Sequence, residues 1–162
     1  IMEKTGHSPI KEKMKELKSP LSGEMSGHVC YGDDFYGYDD AMYVGLRLLR
    51  ILGNKNKNLN DIIDKYPKTF STPETRFDVD EIKKFKIIDE IKERLLSFEG
   101  NIIDIDGIRV ETEEGWFLMR ASNTQNQLTC RVESTSKNGL KKLIDIVENQ
   151  LQLSNVNFKF TI

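Results

Sequence analysis

The sequence predicts an α+β fold: a C-terminal antiparallel sheet with helices on one face, preceded by an incomplete α/β segment. Three observations carry this reading. From Ser71 onward, runs that alternate apolar and polar residues give way to runs with apolar residues at three- and four-residue steps, so strands and amphipathic helices are interleaved. Asp106-Gly107 and Glu114-Gly115 stand between alternating runs as turns, glycine tolerating the positive φ that such turns need. Before Ser71 there are helices and loops, with at most one short strand at His28 to Tyr31.

Taken in order, Ser8-Pro9 reads as an N-cap followed by proline at the first helical position, with Ile10, Met14 and Leu17 marking one face to about Lys18. Ser19 to Gly27 is rich in Ser, Gly and Pro without periodicity and reads as loop. Asp39 and Asp40 read as carboxylates at the positive end of a helix holding Val44, Leu46, Leu48, Leu49, Ile51 and Leu52. So apolar a helix is expected to be buried on most sides. Either nearby irregular residues pair as strands beneath it, or its packing partner lies outside this chain. Asn54 to Asn60 is a polar break, and Leu59, Ile62, Ile63 and Tyr66 suit a short helix before Pro67.

In the second part Phe77 and Val79 suggest a short strand, and Ile82, Phe85, Ile88, Ile91 and Leu95 one face of a helix. Residues 101–105 and 108–112 flank the first turn. Trp116 to Ala121 and Leu128 to Glu133 alternate as two longer strands, Leu140, Leu143, Ile144, Val147 and Leu151 mark a closing helix, and Val156, Phe158, Phe160 and Ile162 alternate as a last strand. The expected domains are 1–70 and 71–162.

The 162 residues are 38% hydrophobic and 31% charged, which excludes a collagen, a disordered tail or a disulfide scaffold. A net charge of −2 gives no reason to expect nucleic acid or an anionic membrane as partner. Cys30 and Cys130 lie far apart and suit a reducing compartment, no apolar run approaches the ~20 residues of a membrane span, and Ile1-Met2-Glu3-Lys4 lacks a signal peptide's apolar stretch. A cytoplasmic setting is expected.

Two loops carry groups suited to chemistry. Arg120-Ala121-Ser122-Asn123-Thr124 combines a guanidinium, two hydroxyls, an amide and a turn's backbone N–H groups, with Arg131 a few residues on. Such a set fits an anion, above all phosphate, although a polar hairpin loop has the same composition. Ser22 to His28 carries Glu24, Ser26 and His28 between glycines and suits vicinal sugar hydroxyls, or is only a loop. His7 and Lys11 stand near a helix start, where an anion is favoured. His28 and Cys30 have no second pair at ligand spacing, and the aspartates at 33, 34, 39 and 40 do not match a calcium loop, so no metal ligand set is expected.

Thr5-Gly-His-Ser8, Lys11, Gly23-Glu-Met-Ser-Gly-His28, Tyr36-Gly-Tyr-Asp-Asp40, Ser71-Thr-Pro-Glu74, Asp106-Gly-Ile-Arg109, Gly115-Trp116 and Arg120-Ala-Ser-Asn-Thr124 fall in the order and rough spacing of the α-D-phosphohexomutases. The sequence most closely resembles their bacterial phosphomannomutase/phosphoglucomutase subgroup, from about Thr5 to Leu151. That resemblance implies a four-domain protein of which this chain is the end of the third domain plus the fourth, the latter TATA-box-binding-protein-like. It implies intramolecular phosphoryl transfer between the 1- and 6-positions of a mannose or glucose phosphate. Glu24 and Ser26 would contact sugar hydroxyls, His28 and Lys11 would support the reacting centre, and Arg120, Ser122, Asn123 and Thr124, backed by Arg131, would hold the phosphate. The family's Mg²⁺ and phosphoserine would belong to domains absent from this chain, which contains neither a phosphoserine loop nor an Asp-rich metal loop. Those domains, as a separate chain, are among the partners the resemblance allows; a non-catalytic phosphosugar-binding module is the alternative. Gln125-Asn126 replace the family's proline, so the phosphate loop is expected to be less restricted.

Overall fold

A computed structural model describes residues 1–55 and 58–161; residues 56–57 of the polar break and Ile162 of the expected last strand lie outside it. The chain divides into two compact units, Ile1–Tyr66 and Pro67–Ile162.

In the first unit α1 spans His7–Leu17. It starts one residue before the expected Ser8 cap: Gly6, at φ 129°, turns the chain, and Pro9 falls in the first turn, where a missing N–H costs no helical bond. Leu21–Gly23 forms β1, antiparallel to β2 (Val29–Tyr31), so the supposed loop from Ser19 to Gly27 contains a strand. Three residues are too few to display an alternation. Next come α2 (Ala41–Lys55) and α3 (Leu59–Ile63), the latter closed by a reciprocal capping box between Asn58 and Asp61.

The expected burial of α2 is not met within this unit. Met42, Leu46 and Leu49 are 83%, 64% and 65% exposed, and none of residues 41–54 is buried. The β1–β2 pairing is one the sequence did not reveal, yet it leaves that stripe open.

The second unit is a six-stranded antiparallel sheet, ordered β3-β8-β7-β6-β5 with β4 also on β8: β3 Phe70–Ser71, β4 Thr75–Asp78, β5 Asn101–Ile103, β6 Ile108–Thr112, β7 Gly115–Ala121 and β8 Gln127–Ser134. One face, bearing Ile108, Val110, Phe117, Met119, Leu128, Cys130 and Val132, is buried against α4 (Lys84–Leu95) and α5 (Lys137–Leu153). Ile87, Ile88, Ile91 and Leu95 supply the α4 stripe, whereas Ile82 and Phe85 are exposed: Ile82 precedes the helix and Phe85 faces away from the core stripe. Ser136 caps α5 by accepting the Gly139 N–H at 3.0 Å. Gly115 opens β7 at φ 149°, and a Cβ there would meet the Glu133 carbonyl at 2.1 Å, so only glycine fits that close approach.

Residues 155–161 form no strand. Val156, Phe158 and Phe160 pack against the core without a ladder, Phe158 stacking on Phe77 at 4.2 Å. The Phe160 N–H donates to Glu148 Oε1 at 2.8 Å and Lys159 bonds the other oxygen, so a buried carboxylate on α5 pins the tail where β pairing was expected.

Candidate functional site

In the first unit the Gly23↔Val29 pairing makes residues 24–28 a hairpin loop. It is closed by Glu24 N–H to the His28 carbonyl (2.8 Å) and Gly27 N–H to the Glu24 carbonyl (3.0 Å), with Gly27 at φ 95°. Ser26 Oγ donates to Glu24 Oε2 at 3.1 Å, so the two groups expected to face sugar hydroxyls stand together at the tip. With its proton given to Glu24, the Ser26 hydroxyl joins the carboxylate in presenting acceptors at the tip.

At the base of the loop His28 Nδ1 lies 2.6 Å from Asp39 Oδ2, and the His7 ring meets the His28 ring edge-on with centroids 5.0 Å apart. Asp39 Oδ1 also accepts the Val29 N–H at 3.2 Å. This corrects the reading of Asp39 as a helix-end carboxylate: Asp40 alone takes that role, accepting the Tyr43 N–H at 2.9 Å. Nothing in an Asp-Asp pair distinguishes the capping residue from its neighbour; the fold decides. Lys11 is exposed one turn along α1 from His7 and takes no part in these bonds.

The hydrogen bond from His28, then that from the Val29 amide, holds the Asp39 carboxyl below the usual carboxylate range despite partial desolvation. A depressed folded pKa contributes stability above the unfolded value, near ~3.9, and loses it as pH falls through the folded value. His28→Ala is expected to move the Asp39 titration, followed by carboxyl NMR, upward toward that ordinary range. An unmoved midpoint would show that the imidazole is not its cause.

In the second unit the loop of residues 122–126 joins β7 to β8. Ser122 N–H donates to the Gln127 carbonyl at 2.9 Å, and Ser122 Oγ accepts from Thr124 N–H (3.3 Å) and Gln125 N–H (3.1 Å). With its oxygen so occupied, the Ser122 hydroxyl proton remains available to a ligand. Asn123 and Thr124 are exposed at the tip. Two contacts replace the restraint expected of proline: Val79 N–H donates to the Asn126 carbonyl at 2.9 Å, and Lys84 Nζ to the Gln125 carbonyl at 2.9 Å. Lys84 was not anticipated, because a lysine at a helix start reads as solvated; here it is 4% exposed.

Arg120 and Arg131 share the sheet face opposite the helices. Arg120 pairs with Thr129 beside the loop, with Nη1 3.4 Å from Asp106 Oδ2, whereas Arg131 pairs with Leu118 two rows further along and bonds Glu133 at 3.3 Å. Arg109 completes this face, its guanidinium 3.9 Å from the Trp116 ring centroid.

Among the described residues, the candidate metal-ligand group does not fit Mg²⁺. That ion takes oxygen ligands in octahedral geometry. Among the described residues, the group of three or more His, Cys, Asp or Glu able to share an ion is His7, His28 and Asp39, with two imidazoles among its three donors.

The fold is that of a two-unit α+β protein. Residues 1–70 match the family model described as phosphoglucomutase/phosphomannomutase, alpha/beta/alpha domain III, and residues 74–150 the one described as the C-terminal domain of the same family. The chain belongs to the phosphoglucomutase/phosphomannomutase family. It is 41% identical over 152 residues to a phosphomannomutase/phosphoglucomutase of Pseudomonas aeruginosa, covering 94% of this chain and 33% of that protein. It is 42% identical over 146 residues to a phosphoglucomutase of Neisseria gonorrhoeae, covering 88% and 31%. The crystal structure of a phosphoglucomutase/phosphomannomutase family protein from Burkholderia thailandensis matches with a TM-score of 0.85 at 36% identity, over 98% of this chain and 34% of that one. The chain thus spans about a third of the length of these relatives.

Proposed function

We propose that this chain is the sugar-reading and phosphate-holding part of a phosphomannomutase/phosphoglucomutase that interconverts hexose 1- and 6-phosphates in the cytoplasm. Residues 1–70 act as the sugar-reading domain and residues 71–162 as the phosphate-binding domain. Glu24 and Ser26 bind sugar hydroxyls, and His28, oriented by Asp39, handles protons at the reacting centre. Lys11 is a further supporting charge. Arg120, Ser122, Asn123 and Thr124 hold the phosphate that is not being transferred, and Arg131 adds positive field from two rows away. The observation that carries this reading is the Arg120–Thr124 loop, formed and tethered in a chain whose two parts match consecutive domains of one family.

Phosphoryl transfer rests on positioning and charge stabilisation, which these groups supply. The transferred group and Mg²⁺ come from outside the 162 residues, so the chain alone acts as a binder. A few charge-assisted hydrogen bonds at roughly 1.5–3 kcal/mol each, less the cost of association, point to about millimolar affinity for a hexose phosphate.

The test is amide NMR titration of the chain with glucose 6-phosphate, with neutral glucose as control and a coupled mutase assay on the same sample. Saturable shifts at Ser122 to Thr124 with the phosphate only, and turnover at background, are expected. No shifts in that loop would overturn the reading of the second unit. Turnover surviving repurification would overturn the assignment of the chain as a binder only.

A further inference from the structure

We propose that His7, His28 and Asp39 form a binding site for a divalent transition metal of the zinc class. The proposal does not rest on the mutase reading. If both hold, the metal competes with a sugar phosphate for His28 and acts as an inhibitor.

The donor set is the first argument. Two imidazoles and one carboxylate are what zinc takes in open sites, with water in the fourth position. Magnesium and calcium prefer oxygen alone, so the same set discriminates against the commoner ions.

Geometry is the second. One ligand atom from each residue lies within 4.8 Å of the other two. Tetrahedral zinc with bonds of about 2.0–2.1 Å spaces its ligands roughly 3.3 Å apart, so no separation need close by more than about 1.5 Å. Rotation of an exposed imidazole supplies that movement, and both His7 and His28 are exposed. His28 Nδ1 and Asp39 Oδ2, at 2.6 Å, share a proton whose place the metal takes. They separate slightly, and in neutral His28 the displaced proton moves to Nε2, so the exchange balances without loss or gain of a proton.

Support around the ligands is the third. The three residues come from the first turn of α1, the base of the β1–β2 hairpin and the approach to α2, so the fold assembles them where sequence spacing gave no sign. Asp39 is fixed by the Val29 N–H on its other oxygen and by a β-bridge to Cys30, the kind of outer contact that orients a ligating carboxylate. The positive end of α1 at His7 opposes a cation, and the Asp39 charge offsets it.

Zn²⁺ is titrated calorimetrically into the full chain at neutral pH, with Co²⁺ as optical probe and NMR of the two histidine rings as local readout. One metal per chain, shifts at both rings, four-coordinate Co²⁺ bands without a thiolate charge-transfer band, and no response to Mg²⁺ are expected. Cys30 and Cys130 are buried and supply no sulfur. His7→Gln and Asp39→Asn should each weaken Zn²⁺ binding about tenfold or more. If Asp39→Asn disturbs the amide spectrum, the exposed His7 variant decides alone. Parent-like affinity in His7→Gln, or binding that leaves the His28 ring unshifted, would overturn the proposal.

Discussion

Phe117→Ala is expected to lower the unfolding free energy of the second unit by about 3–5 kcal/mol, the usual cost of deleting a buried aromatic ring. Phe117 is fully buried in the middle of β7, paired with Val110 on one side and Val132 on the other, with Phe98 edge-on at 6.4 Å. Helices cover it and strands fix it laterally, so little can collapse into the void. Trp116, the single tryptophan, sits on the opposite face of the same strand and reports this unit directly. Denaturant unfolding followed by its fluorescence measures the loss. A change below about 1 kcal/mol would mean that the core relaxes around the deletion.

Arg120→Ala is expected to weaken binding of a hexose phosphate about 10- to 100-fold, since a charge-assisted hydrogen bond of roughly 1.5–3 kcal/mol is lost and each 1.4 kcal/mol is tenfold. The Arg120 side chain is only 17% exposed and its guanidinium is steered by Asp106, so its fork is oriented before any ligand arrives. Arg120→Lys keeps the charge but not the planar pair of donors and should recover part of the affinity. Loss in both variants to the same degree would indicate recognition by the fork, while a lysine as good as arginine would indicate simple charge. If Arg120→Ala titrates like the parent chain, the loop is only a loop.

Legibility in the sequence followed the strength of periodicity. The alternation from Trp116 to Ala121 and from Leu128 to Glu133 matches the observed register residue by residue, because a sheet with one covered face forces period two. The closing helix was equally plain, its apolar stripe being the α5 core contact. Short elements were not: β1 and β3, of three and two residues, have no room to repeat anything. The tail misled in the opposite direction. Val156, Phe158 and Phe160 alternate because an extended segment lies on apolar surface, and that pattern arises without a neighbouring strand to pair with. The exposed α2 stripe shows that composition predicts a need for burial but not what satisfies it.

For the sites, the residues of each loop could be read locally, since Glu24 with Ser26 and Arg120 with Ser122 to Thr124 lie within five positions of one another. The groups that brace those loops could not. Asp39 is eleven residues from the His28 it binds, and Lys84 is 41 from the carbonyl it holds. Such pairs are products of tertiary structure, and no spacing rule brings them together.

The tether at Lys84 bears on the heat and entropy of any ligand event at this loop. Its ammonium, buried between the Gln125 carbonyl and the Phe85 ring, has already restricted the peptide that proline would otherwise have stiffened. The ordering cost therefore falls on folding rather than on capture, and an incoming anion meets a rim that is already set. Calorimetrically, such a loop resembles a rigid receptor, with an enthalpy from new polar contacts and little entropic penalty from the backbone.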